Sequence, residues 1–229
     1  MRGPLLNQNT VIEHVIPRLV SNEESVELAR DITREELLKV VRNIPTDKSP
    51  EPNVFYGLFF KKFWHIIEFD LLKAVQCFFQ DAVMTKQWNS AFLVLIPKQD
   101  NLTKPKHFRP ISLCNVIYKI VTKILANRLK EVLPKLILPA QAAFVRRRSI
   151  TDSCMIAQET LHSSMEKSRL NKNLMVIKLD MQRAYDRMRW LYLLKVLCQF
   201  GFSQRWIACI EACIVKPSFA VLINGLSTS

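Results

Sequence analysis

The chain has 229 residues, 49% of them hydrophobic and 23% charged, a balance that supports a packed core and argues against disorder. Its formal charge is +13 and one-sided: residues 1–90 hold 11 Lys and Arg against 12 Asp and Glu, whereas residues 91–229 hold 22 against 8. Such an excess favours a polyanionic partner, most often nucleic acid, although charge alone leaves an ordinary basic protein equally open.

No run approaches the length of about 18 apolar residues that would cross a membrane, and no N-terminal signal pattern is visible. Six cysteines (Cys77, Cys114, Cys154, Cys198, Cys209, Cys213) are scattered without a C-x-x-C pair. They are expected to be reduced and mostly buried. Cys209 and Cys213 share a helical face, but no histidine lies near them in sequence to complete a metal site.

In chain order, residues 1–30 form a lead-in segment with a short helix expected around Glu23 to Arg30. Thr33-Arg-Glu-Glu36 has capping-box spacing, and Leu37, Val40, Val41 and Ile44 supply one apolar face, which predicts a helix over 34–44. A helix over Tyr56 to Ile67 follows the Pro45 to Pro52 break, and another is expected from Asp70, with Leu71, Leu72, Val75, Phe78 and Phe79 on its apolar side. Ala91 to Ile96 reads as a buried strand ended by Pro97, and Gln99 to His107 as a polar loop.

From Ile117 to Val132 the apolar residues Ile117, Ile120, Val121, Ile124, Leu125, Leu129 and Val132 share one face. Lys119, Lys123 and Lys130 fall on the reverse side, either as a solvated face or as phosphate contacts. Pro134 to Ala140 ends this helix. The run Arg146-Arg147-Arg148, which can grip a phosphate backbone, precedes a helix over Asp152 to Lys167 capped by Thr151 or Asp152. A strand over 173–180, a helix from Trp190 to Gln199 closed by Gly201, a helix over 203–214 and a strand from Ser218 to Ile223 complete the pattern. The last strand has no visible return partner. The sum is an α+β chain.

Lys178-Leu-Asp-Met-Gln-Arg-Ala-Tyr-Asp-Arg187 ends an apolar run on Asp180 and then turns helical. A carboxylate fixed at a strand end suits a metal ligand in two-metal nucleotidyl transfer; it equally suits an N-cap of the next helix, and spacing alone does not choose.

The strings Phe108-Arg-Pro-Ile-Ser-Leu-Cys-Asn-Val-Ile-Tyr-Lys-Ile120, Leu125-Ala-Asn-Arg-Leu-Lys130, Gln141-Ala-Ala-Phe-Val145, Lys178 to Arg187 and Ser218-Phe-Ala-Val-Leu-Ile-Asn-Gly225 stand in the order and spacing of one family. Together they closely resemble the reverse transcriptases of plant LINE-type (non-LTR) retrotransposons, over about residues 30–229. The resemblance implies an incomplete right-hand polymerase with helices packed on a small, mostly antiparallel sheet. Residues 31–90 would be an N-terminal helical extension and 91–229 the fingers and partial palm.

Carried over by position, Asp180 is implied as the catalytic carboxylate and, with the Met181 carbonyl, as a ligand of Mg²⁺. Tyr185 is implied as the aromatic under the incoming sugar, and Lys98 and Arg109 as contacts to a deoxynucleotide triphosphate. Gln141 and Arg148 match the stretch that holds RNA template and DNA primer.

Departures accompany the match. The family's Lys-x-Pro-Gly-Pro-Asp-Gly-Phe reads Lys48-Ser-Pro-Glu-Pro-Asn-Val-Phe55, Arg147 stands in place of glycine, and Glu68 does likewise. A side chain at a site needing positive φ costs about 1 kcal/mol or more. No Asp-Asp pair occurs in the 229 residues. The chain is therefore expected to stop short of the aromatic-x-Asp-Asp motif, to lack polymerase activity by itself, to bind Mg²⁺ weakly, and to self-associate through uncovered strand edges.

Overall fold

Local capping chemistry starts most of the helices. Ser21 accepts from the Glu24 amide at 3.1 Å while its own amide donates to Glu24 Oε2 at 3.0 Å, a reciprocal box that opens α1 (Asn22–Leu28). Thr33 Oγ1 accepts from the Glu36 amide at 3.2 Å and opens α2 (Arg34–Arg42). Helices α3 (Gly57–Lys62) and α4 (Trp64–Asp81) follow. The computed structural model describes residues 15–46, 55–101, 103–139, 141–142, 145–146, 148–168, 187–223 and 226–227.

The break between α3 and α4 falls at Phe63 rather than near Asp70, because nothing in residues 64–81 interrupts the helical period that buries Leu71, Val75, Phe78 and Phe79. Helix α4 ends on Ala82, whose φ of 52° makes it the one non-glycine residue at positive φ among the described residues. Gly57 is held by close approach: a Cβ there would meet Pro45 O at 2.6 Å. Of the family's replaced glycines, Glu68 alone is described. It lies inside α4 and pairs with Arg34 Nη2 at 2.6 Å, so the strain expected of a lost glycine does not arise there.

Strand β1 (Ser90–Pro97) turns through a loop and the 3₁₀ turn Pro105–His107 into β2 (Phe108–Cys114), which the sequence did not announce. Pro110 masks it. A proline has no amide to give a ladder, and it is tolerated here because the order β2-β1-β3-β4 makes β2 an edge strand. Helix α5 (Val116–Leu136) is capped by Asn115 and runs through Pro134 in its last turns. Helices α6 (Ile150–Ser168), α7 (Trp190–Phe200) and α8 (Gln204–Ile214) lead to β3 (Ser218–Ile223) and the two-residue β4 (Leu226–Ser227).

The sheet is mixed: β1 pairs antiparallel with β2 and parallel with β3, and β3 pairs antiparallel with β4. The last long strand thus has partners on both sides, contrary to the expectation that it had none. The expected strand 173–180 lies outside the described residues. Cysteines differ from expectation too: only Cys209 and Cys213 are buried, Cys114 is half-buried, and Cys77, Cys154 and Cys198 sit on outward helix faces. Burial pushes the Cys209 thiol up to about 11 and Cys213 to about 12, so both stay protonated.

One apolar core joins α1, α2, α4, α5 and α8, with Ile120, Val121 and Ile124 of α5 at its centre and Trp206 of α8 against it. Into the same apolar stripe of α5 falls Arg128, 7% exposed. Its guanidinium meets both Glu36 oxygens at 2.9 and 2.8 Å and donates to Leu28 O at 2.9 Å, Arg30 O at 2.7 Å and Asp31 O at 3.3 Å. The Phe79 ring lies 5.2 Å beneath it. The free carbonyls at the end of α1 are thereby satisfied by a charged fork.

Arg128→Ala leaves the half-buried Glu36 with Arg30 at 3.2 Å as its remaining charge partner and strips the α1 carbonyls of their donors, which is expected to cost about 3 kcal/mol, read from urea unfolding midpoints. Burial pushes the Glu36 carboxyl up with the largest single effect, but hydrogen bonds and charge from Arg128, with Arg30 added, outweigh it and hold the group below its ordinary value. A depressed folded pKa adds stability that is complete above the ordinary glutamate value of about 4.3 and is lost as pH falls through the folded value. The stability gap between wild type and Glu36→Gln should therefore be constant from neutrality down to about pH 5 and close below it.

Candidate functional site

The site residues proposed from sequence fall in separate places. Lys98 directly follows β1, where its amide donates to His107 O at 2.9 Å and its ammonium to Lys106 O at 3.1 Å. Arg109 on β2 stands opposite Ile96. Continuing that register sets Lys98 diagonally across from Arg109 on one face, neighbours at roughly 7–8 Å in a regular ladder. Both are exposed, as are Lys104 and Lys106 of the intervening loop, two further cations for which no motif or periodicity argues in sequence. A point charge beside a planar fork is suited to several phosphate oxygens at once.

A second cluster lines a groove of about 1250 Å³ between α2 and α5. Lys123 and Lys130 come from α5, Lys39 from α2 and Arg146 from the segment after α5. Among the described residues Lys39, Lys123 and Lys130 are exposed and make no ion pair, whereas Arg146 approaches Glu131 at 3.5 Å in an exposed contact of little energetic weight. Lys119 is half-buried and makes interactions of its own. Lys39 could have been noticed in sequence, since α2 buries Leu37, Val40 and Val41 and leaves Lys39 exposed.

Arg148 is already occupied. Its guanidinium donates to Leu138 O at 2.6 Å, Gln141 O at 2.8 Å, Ile137 O at 3.1 Å and Pro134 O at 3.2 Å. It closes the negative end of α5 and fixes the exposed Gln141 and Arg146 relative to it. Asp180, Met181, Tyr185 and Arg147 lie outside the described residues, and among the described residues no three His, Cys, Asp or Glu side chains come together to hold a metal.

Residues within the matching strings also shape this end of the molecule. Asn115 Oδ1 accepts from the Ile117 amide at 3.3 Å and its Nδ2 donates to Gln87 O at 3.1 Å. Tyr118 OH donates to Cys213 O at 2.8 Å, and burial pushes its phenol well above the ordinary range.

This mixed α/β chain, with cations grouped on a hairpin and along a helical groove, matches the model of the reverse transcriptase (RNA-dependent DNA polymerase) family over residues 96–228. The chain belongs to that family. It is 30% identical over 92% of its length to the transposon TX1 uncharacterized 149 kDa protein of Xenopus laevis, of which it covers 16%. It is 27% identical over 51% of its length to the Pol polyprotein from type-1 retrotransposable element R2 of Popillia japonica, covering 16% of that protein. With the probable RNA-directed DNA polymerase from transposon BS of Drosophila melanogaster it shares 26% identity over 69% of its length, covering 17%. The chain thus spans about a sixth of these curated relatives, all of non-LTR retrotransposon type. The family uses divalent metal ions and binds nucleic acid and nucleotides.

If the α2–α5 groove meets a nucleic-acid backbone, Lys123→Ala and Lys130→Ala should each lower the slope of log K against log salt by about 0.7 for a single strand. Fluorescence anisotropy titrations between about 50 and 200 mM salt read this directly.

Proposed function

We propose that the chain is the fingers and beginning of the palm of a retrotransposon RNA-directed DNA polymerase, from a plant LINE-type element. In this reading residues 1–30 lead in, 31–90 form a helical extension and 91–229 carry the polymerase surface. Lys98 and Arg109 hold the triphosphate of an incoming deoxynucleotide, and Tyr185 underlies its sugar. Template and primer run over Gln141, Arg146, Arg147 and the α5 lysines Lys119, Lys123 and Lys130, while Arg148 positions their segment rather than touching phosphate itself.

Asp180 and the Met181 carbonyl would hold Mg²⁺, which would activate the primer hydroxyl and neutralise phosphate charge. Mg²⁺ needs several oxygen ligands in near-octahedral order, and one carboxylate with one carbonyl does not complete that set. No catalytic step is therefore assigned to residues 1–229 by themselves: they bind nucleotide and nucleic acid without extending a primer, and their open strand edges favour self-association.

The observation that supports this reading best is the family match over 96–228 together with the two cations set on one hairpin face. The test is paired. Purified chain with an RNA template, DNA primer and Mg²⁺ or Mn²⁺ should give no extension, while Lys98→Ala and Arg109→Ala should each weaken deoxynucleotide triphosphate binding roughly tenfold, about 1.4 kcal/mol. Incorporation that depends on Asp180 would refute the inactivity, and unchanged nucleotide binding in both variants would refute the hairpin assignment.

A second reading, a non-catalytic basic nucleic-acid-binding protein, is favoured by the unpaired lysines along the α2–α5 groove. Salt-dependent RNA binding without any nucleotide affinity would select it.

A further inference from the structure

Sheet and helices meet where the chain turns through Asn89 into β1. A cavity of about 160 Å³ opens there, lined by Asn89, Ala91, Ser112, Cys114, Tyr118 and Phe219 among others, none of them charged. Asn89 is 6% exposed, and its Nδ2 donates to Ala212 O of α8 at 3.3 Å. That bond fixes the direction of the amide, because turning it over would set two carbonyl oxygens against each other. No protein donor reaches Asn89 Oδ1.

The other polar walls are arranged around the same gap. Tyr118 has committed its proton to Cys213 O, so its oxygen faces new partners only as an acceptor. Ser112 on β2 is exposed, and its hydroxyl makes no hydrogen bond among the described residues. Ser90 also lines the gap, its hydroxyl donating to Lys86 O at 2.6 Å, so the walls present three acceptors and one hydroxyl that can act in either sense. A buried amide oxygen left without a donor costs about 1–3 kcal/mol, and folded proteins meet such groups with a partner or an ordered water.

We propose that this partly open cavity is a structural hydration site, in which a water donates to Asn89 Oδ1 and bonds onward to Ser112 and Tyr118. The ligand class follows from the walls: a small neutral molecule with at least one donor, in a space that holds a few waters at about 30 Å³ each. A lining with orphaned polar atoms attracts water, whereas only an apolar cavity stays dry. The water completes a polar joint that already ties β3 to Asn89 O through the Ser218 amide at 3.0 Å and α5 to α8 through Tyr118. The inference is independent of the polymerase reading.

Oxygen-17 magnetic relaxation dispersion on the full chain should show at least one long-lived bound water that is lost in Asn89→Leu and weakened in Ser112→Ala. Ser112 is exposed, so its variant keeps the test alive if Asn89→Leu fails to fold. Xenon under pressure serves as the apolar probe and should stay out of the wild-type cavity. Xenon entry at this site, or long-lived water unchanged in both variants, would overturn the proposal.

Discussion

The helical body depends on how one buried guanidinium is satisfied. Arg128 sits on the core side of α5 and reaches residues about a hundred positions earlier, taking up both Glu36 oxygens and three carbonyls at and just beyond the end of α1. Charge in that position is tolerable only because every donor direction has an acceptor, and because Phe79 offers its ring face beneath. Arg205 of α8 reinforces the same corner, donating to Phe79 O at 2.7 Å and to Asp31 Oδ1 at 3.0 Å. The connector between α1 and α2 is thus held by two arginines from distant helices rather than by apolar packing alone.

That corner positions the groove. With α2 clamped to α5 through Glu36 and Arg128, Lys39 is brought onto the rim that Lys123 and Lys130 already occupy. The clamp and the rim divide the labour between arginine and lysine as their chemistry suggests: planar forks are buried in geometric bonds, and flexible ammonium groups are left in water to meet a mobile polyanion. Arg148 repeats the pattern at the far end of α5, where four carbonyls absorb a charge that sequence alone would assign to solvent or phosphate.

Much of the architecture was readable from periodicity and caps. Thr33, Gly201 and Ser203 mark helix ends where the structure has them, and strand β3 has its expected bounds. What escaped notice did so for physical reasons. β2 carries a proline that only an edge strand tolerates, and strand order is a long-range fact. The parallel pairing of β3 with β1 joins residues 128 positions apart and leaves no local trace. Arg128 stands four residues after Ile124 and four before Val132 in an apolar stripe, but its acceptors are a carboxylate and carbonyls about a hundred positions away, which leave no local mark in the sequence. For the site, the family resemblance gave the cations of the hairpin and helical periodicity those of α5, but neither told which cations were already engaged, since a guanidinium's partners are carbonyls contributed by the fold.

The four-stranded sheet shows apolar side chains on both of its sides. Along β1 and its partners, Leu95, Phe219 and Ile223 fall on one side and Ile96 and Ile111 on the other, each more than 40% exposed. Sheets that are oily on one surface rest as an outer wall, with water behind them. A sheet with bare apolar groups on both surfaces is shaped like the middle layer of a sandwich, and it adds to the oily area that the helices already show to water at Val26, Ile66, Phe69 and Leu191.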